Sequence, residues 1–207
     1  MPSSVQRTRV RKDPAARRAE IVTAAAEVAL SEGLEAVTLR RIAEELTVRP
    51  GLISHYFPAV EDLVAQAFAD AATGELDALL PDGPQDGTPT ERLARFLSLT
   101  RGEAYDSISR LWINARHLSR YRPPLRERVA VQEAAWRERL AGLIRQGVEA
   151  EEFRTDDPLV AAIQILVVLD GLGVHANTDT TNRPAAIVRL AATTAERELG
   201  LSHGALS

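Results

Sequence analysis

Between Arg49 and Tyr56 the chain gathers an unusually varied set of groups: Arg49, Pro50, Gly51, Leu52, Ser54, His55 and Tyr56. Their types suit the reading of a DNA groove. An arginine reaches a guanine edge or a phosphate, a leucine meets a thymine methyl, and hydroxyl, imidazole and phenol add hydrogen bonds. Gly51, beside Pro50, permits close approach of the backbone. Arg40, Arg41 and Thr38 lie just upstream and Arg17 further back, placed to bond phosphates. Catalytic patterns are missing by contrast. The four histidines (His55, His117, His175, His203) are scattered, and no Glu-x-x-His pair, Walker loop or Gly-rich dinucleotide fingerprint occurs. No catalytic residue, metal ligand or cofactor is expected.

The elements that must hold these residues are helices, because apolar spacing is helical throughout and strand signals are nearly absent. Asp13-Pro14 starts a first helix, with Asp as N-cap, and Glu32-Gly33 ends it. Ile21, Ala24, Ala25, Val28 and Ala29 share its inner face. Thr38 caps a second helix that turns Leu39, Ile42, Ala43 and Leu46 inward. Thr47-Val48 makes a tight turn, and a third helix runs from about Pro50 to Tyr56. In such a helix-turn-helix the third helix would enter the groove N-terminus first, while the second crosses the phosphate backbone. The spacing alone also fits a plain helical hairpin in a bundle core, with Tyr56 and Phe57 as core aromatics.

A fourth helix spans about Val60 to Leu79. Pro81 to Pro89 then reads as a linker. Beyond it, helices are expected at about 90–103, 104–120, 123–149, 157–177 and 183–199, about nine in all. The organisation follows: a basic arm (1–13), a helix-turn-helix domain (14–59), a connecting helix (60–79) and a C-terminal helical domain (80–207).

At 207 residues and 45% apolar content the chain can bury a sizeable core. It has no cysteine, which removes disulfides and Cys-based zinc sites. The net charge of −4 argues against nucleic acid, but its distribution does not. Arg7, Arg9, Arg11, Lys12, Arg17 and Arg18 crowd the N-terminus against the single acid Asp13, a basic footprint that also fits a solvated tail. The first 20 residues lack a signal-peptide core. The apolar run from Leu159 to Val174 is broken by Gln164 and Asp170 and is shorter than a bilayer span, so a buried helix and a cytoplasmic protein with no membrane partner are expected.

The segment LRRIAEEL, followed by V-R-P-G-L-I-S-H-Y-F-P and E-D-L, resembles the DNA-binding domain of TetR-family transcriptional regulators over about residues 17–64. The resemblance implies a cytoplasmic homodimer, usually repressing transcription until a small-molecule effector binds. Three positions depart from the pattern. Arg49 stands where a capping Ser or Thr is frequent, Ser54 where a Tyr is frequent, and Val60 where a Lys commonly grips phosphate.

The stretch RLWINARH…PPLRERV…WRERLAGLIRQGVEAEEFR…DPLVAAIQILVVLDGL resembles the C-terminal domain of a TetR subgroup typified by the choline-responsive repressor of betaine synthesis. Ligand binding is therefore expected in the C-terminal half, by Tyr105, Ile108, Leu111, Trp112, Asn114, Ala115, Arg116, His117 and Trp136. Asn114 reads either as a polar anchor in an apolar pocket or as an amide satisfied by neighbouring backbone, and an inward Arg116 would favour an anionic effector. Ile163, Leu166, Leu169, Leu172, Ile187 and Leu190 exceed what one packing face needs, so they are the expected homodimer interface, with Gly171 and Gly173 allowing close helix approach. Double-stranded operator DNA, an unidentified effector and a second copy are the expected partners. A ligand-independent or architectural DNA-binding protein is the alternative.

Overall fold

The computed structural model describes residues 13–83, 86–101, 103–178 and 184–206, with backbone alone for residues 103 and 104. Residues 1–12 of the basic arm lie outside them. Every element among the described residues is helical. These are α1 (Pro14–Glu32), a 3-10 turn (Leu34–Ala36), α2 (Leu39–Glu45), α3 (Pro50–Tyr56), α4 (Val60–Leu79), α5 (Pro89–Leu99), α6 (Glu103–Ser119), α7 (Pro123–Glu149), α8 (Pro158–Thr178), α9 (Ala185–Val188) and α10 (Leu190–Glu198).

The helix boundaries have local causes. Asp13 accepts hydrogen bonds from the Ala15 and Ala16 N–H groups, which α1 would otherwise leave unpaired. Gly33 ends α1 at φ 95°, a conformation that disfavours a side chain. Thr38 caps α2 through the Arg41 N–H, and Thr88 with Glu91 forms a reciprocal capping box on α5. Among the described residues there are ten α-helices, close to the nine or so expected. The segment expected as one helix at 183–199 breaks at Arg189, whose φ of −90° and ψ of 0° leave the helical range. There its guanidinium comes within 3.9 Å of the buried Glu196 carboxylate.

Packing ties these elements into one body. The α1 face of Ile21, Ala24, Ala25, Val28 and Ala29 is buried against α4, where Leu63, Ala67 and Phe68 meet it. Helix α4 also packs along α7, and α6 lies against α7 and α8. Polar ties reinforce the second seam: Gln132 donates to the Thr73 hydroxyl at 2.9 Å, and Arg139 reaches Asp77 at 3.2 Å and the Leu80 carbonyl at 2.6 Å.

Helix α8 is long and apolar enough, by length and composition, to cross a membrane. Here it packs against α6, α7 and α10, and its Asp170 is ion-paired to Arg116 of α6 at 2.8 Å. Only 28% of its apolar window is buried, so one face packs into the protein and the other stays open.

Candidate functional site

Ile42 and Ala43 of α2 and Ile53 of α3 are buried together, so the turn at Thr47 and Val48 fixes the angle between the two helices. Of Leu52 and Ile53, it is Ile53 that pins α3 inside, fully buried. Thr47 has φ 53°, which strains a β-branched residue and marks a turn held by its surroundings. Phe57, also buried, closes the unit beneath the Arg18 guanidinium, 4.6 Å from its ring centre.

That packing turns the other face of α3 outward. Arg49, Gly51, Ser54 and His55 are exposed; Leu52 and Tyr56 are half-buried. Arg49 sits at the N-cap position without capping through its side chain, and among the described residues no hydrogen bond or ion pair engages its guanidinium. A Cβ placed on Gly51 would meet nothing within 4 Å, so nothing inside the protein demands a glycine there. Ser54 bonds only back to the Gly51 carbonyl, at 3.3 Å, and His55 stands edge-on to Tyr56.

The flanking cations divide. Arg41 bridges Glu32 at 2.6 Å and Glu45 at 2.7 Å, bracing α2 on α1, and this raises its pKa. It is committed to structure. Among the described residues Arg40 pairs with exposed Glu44 alone, a surface contact worth little that a phosphate can compete with, whereas Arg17 is held by Glu20 at 2.7 Å in a half-buried pair.

A second site lies among α4, α6, α7 and α8. Glu75, Tyr105, Trp112, Arg116, Glu133, Trp136, Arg137, Ile163, Leu166, Val167, Leu169 and Asp170 line a cavity of about 150 Å³. Of the residues expected to bind a ligand, Tyr105, Trp112, Arg116 and Trp136 border this one cavity. Arg116 lies 5.1 Å from the Trp112 ring centre and is bonded to Glu133 at 3.1 Å and Asp170 at 2.8 Å. Burial opposes its charge, but the two carboxylates outweigh that and hold its pKa above the usual value. Glu75 accepts the Trp112 indole N–H at 2.7 Å; burial above all pushes its carboxyl up to about 7. Burial also raises Asp170, against the pull of Arg116, and raises Tyr105, whose phenol faces Glu75 and Asp170 as well. Among the described residues the buried Trp136 indole N–H finds no acceptor. Among the described residues no group of three or more His, Cys, Asp or Glu is placed to hold a metal ion.

Several expected ligand residues sit elsewhere. Asn114 Oδ1 accepts the Leu34 N–H at 2.8 Å and its Nδ2 donates to Glu35 at 2.9 Å, so this amide serves the 3-10 turn. Leu111, Asn114 and His117 border a groove against α1, on the face of α6 opposite the cavity. Ile108 and Ala115 pack in the core and border neither space. Conversely, Ile163, Leu166 and Leu169, expected at a dimer interface, border the cavity, and Leu169 is buried. Leu172 packs against the core, whereas Ile187 and Leu190 are exposed. The exposed stripe of α8 runs instead through Val160, Val167 and Val174, at heptad spacing. Gly173 is closed in by Ser109, 2.9 Å from where its Cβ would stand, so it brings α8 onto α6; only Gly171 opens outward. Three acids of the cavity escaped sequence reasoning. Asp170 had a signal, since a charge inside an apolar run needs a buried partner.

An all-helical body with an N-terminal helix-turn-helix and a larger helical half that holds a half-open cavity has the architecture of a helix-turn-helix transcriptional regulator. The N-terminal profile of the bacterial TetR regulatory proteins matches residues 21–67, and the C-terminal profile of BetI-type transcriptional repressors matches residues 89–200. The chain belongs to the TetR family of bacterial transcriptional regulators, DNA-binding proteins rather than enzymes. No curated protein matches it significantly. Among solved structures, a transcriptional regulator from Saccharomonospora viridis in complex with choline is 21% identical, over 89% of this chain and 98% of that one, with a TM-score of 0.72. A regulator from Pseudomonas aeruginosa PAO1 is 23% identical over 95% of each chain, with a TM-score of 0.70. FadR from Bacillus subtilis, in complex with stearoyl-CoA, is 21% identical over 89% of this chain and 99% of that one, with a TM-score of 0.64. At these identities the likeness is one of fold.

Proposed function

We propose that the protein is a cytoplasmic repressor of the BetI-type subgroup. It binds a near-palindromic operator as a homodimer and releases it when a small molecule enters the cavity. The observation that carries the DNA half of this reading is the N-terminus of α3, where Arg49 is unengaged and Gly51 has no internal neighbour. Arg49, Pro50, Gly51 and Leu52 then face base edges. Ser54, His55 and Tyr56 flank them, while Arg17, Thr38 and Arg40 approach the phosphates.

The effector that suits the cavity is a compact organic cation. Three carboxylates and two guanidiniums line it, so with Glu75 ionised one negative charge is left over. An inward Arg116 suggested an anion from sequence alone, but Glu133 and Asp170 already neutralise it. Aromatic walls add cation–π attraction. The choline bound by the Saccharomonospora viridis regulator is such a cation, whereas stearoyl-CoA in FadR is not, so it is this cavity's charge rather than the shared fold that favours a cation. At about 150 Å³ the cavity is small, and the Arg116 side chain fills part of what a ligand would take. We infer that the ligand displaces Arg116.

The test is a titration against DNA from the protein's own upstream region and against scrambled DNA at fixed salt. A palindrome bound tighter than scrambled DNA by roughly 10³ or more is expected. Gly51→Ala should leave thermal stability unchanged or slightly higher, as alanine favours helix, yet weaken operator binding roughly tenfold or more by blocking backbone approach. Equal salt-sensitive binding to both DNAs would support the architectural alternative. No binding to any duplex at low salt would refute the DNA-reading assignment.

A further inference from the structure

Helix α6 carries two sets of side chains on opposite faces. Tyr105, Trp112 and Arg116 border the cavity, while Ser107, Arg110, Asn114 and His117 border the groove against α1 and the 3-10 turn. At 3.6 residues per turn the two sets lie about 180° apart. A helix displaced from one side therefore moves its other side by the same amount.

At that far side the contact is a clamp. Asn114 accepts from the Leu34 N–H and donates to the Glu35 carboxylate, 2.8 and 2.9 Å away, while Leu34 itself is fully buried. The turn it grips leads through Val37 into Thr38, the cap of α2. Hydrogen bonds are lost within less than an ångström of displacement, whereas the apolar packing of α1 on α4 can slide. Losing this one would leave the Leu34 N–H without its acceptor, a cost that favours an all-or-none seam over a gradual slide. On the cavity side, α6 is held to α7 and α8 through the bonds of Arg116 to Glu133 and Asp170.

We propose that Asn114 is the positioning residue that passes the state of the cavity to the DNA-reading helices, by clamping α6 to the 3-10 turn ahead of α2. This rests on the ligand-responsive reading above. While Arg116 stays bonded in the cavity, α6 holds the clamp closed. When Arg116 is displaced, α6 shifts, the clamp opens and α2 and α3 lose their set position. This route runs beside α4, which joins the same two halves through apolar packing.

Hydrogen exchange on the full-length protein tests the clamp without needing an effector. In Arg116→Met, peptides covering residues 33–38 should exchange roughly tenfold faster than in the parent, while peptides within α10 remain unchanged. Arg116→Lys, which keeps the cation, should restore most of the protection. In Asn114→Ala the same segment should already exchange fast, and adding Arg116→Met should accelerate it no further. Unchanged exchange in Arg116→Met, or an effect that adds independently to Asn114→Ala, overturns the proposal. So does a rise spread evenly over every helix. Operator titrations give a second reading: Arg116→Met should shift affinity about fivefold with Asn114 present and not in its absence. Absence of DNA binding in all forms would count against the DNA-reading assignment, while the exchange result still decides the clamp.

Discussion

Glu75 shows how one side chain sets a pH dependence. Its carboxyl is pushed up to about 7, chiefly by burial, with the Trp112 indole N–H partly offsetting. The native state therefore holds its proton more tightly than the unfolded chain, where a glutamate titrates near 4.3. The resulting stabilisation is complete below that unfolded value and is lost as pH rises through about 7. Glu75→Gln keeps an acceptor for Trp112 and cannot ionise. Relative to the parent it should gain about 1–3 kcal/mol between pH 5 and pH 8. Denaturant melts of both proteins at the two pH values check this, and parallel curves would mean that Glu75 is not desolvated. The same carboxylate is the surplus charge of the cavity, so a cationic effector should bind more tightly as pH rises across this window.

At the scale of the element, the helix starts were legible because their signals are local. Asp13-Pro14 and Thr38 both cap as their types require, and the inward faces of α1 and α2 follow helical periodicity. What stayed hidden was which neighbour each face meets. Helix α6 shows apolar residues on both sides, and periodicity alone cannot separate a cavity wall, where Trp112 stands, from a seam between helices, where Asn114 stands. The inward turn of Arg116 depends on acids 17 and 54 positions away, a pairing that no window of sequence contains. Another contact of this kind is Gly147 in α7. A Cβ there would stand 2.1 Å from the Phe153 ring, which is buried as the chain folds back after α7. Gly147→Ala would favour helix by up to about 1 kcal/mol on propensity alone. The overlap should outweigh that and destabilise by about 1–3 kcal/mol net, seen as a lower midpoint in urea. A midpoint at or above the parent's would show that Phe153 moves aside freely.

For the whole molecule, the question is what covers α8 and α9. Val167 is 62% exposed, Val160 49% and Val174 44%, and Ile187, Val188 and Leu190 continue the apolar surface. A monomer gains nothing from such a stripe, whereas a two-fold partner would bury it, with Gly171 giving room for its helix. The proposed dimer would have a functional consequence. Two α3 helices set about 34–36 Å apart read successive half-sites of a palindrome, and the second engagement is effectively intramolecular once the first has formed. Val174 lies on the stripe away from the cavity lining, so Val174→Asp tests the interface without touching the ligand site. Across the two-fold axis it sets carboxylates into a desolvated apolar contact, a cost that neither copy can relieve. Sedimentation should show the parent as a dimer and Val174→Asp as a monomer with its helical content intact. Operator affinity should then fall by about 10²–10⁴, while the weaker, salt-dependent binding to scrambled DNA changes far less. A Val174→Asp protein that remains a dimer with full operator affinity would place the two-fold contact on another face. The spacing of the reading helices would then have to be derived again from that face.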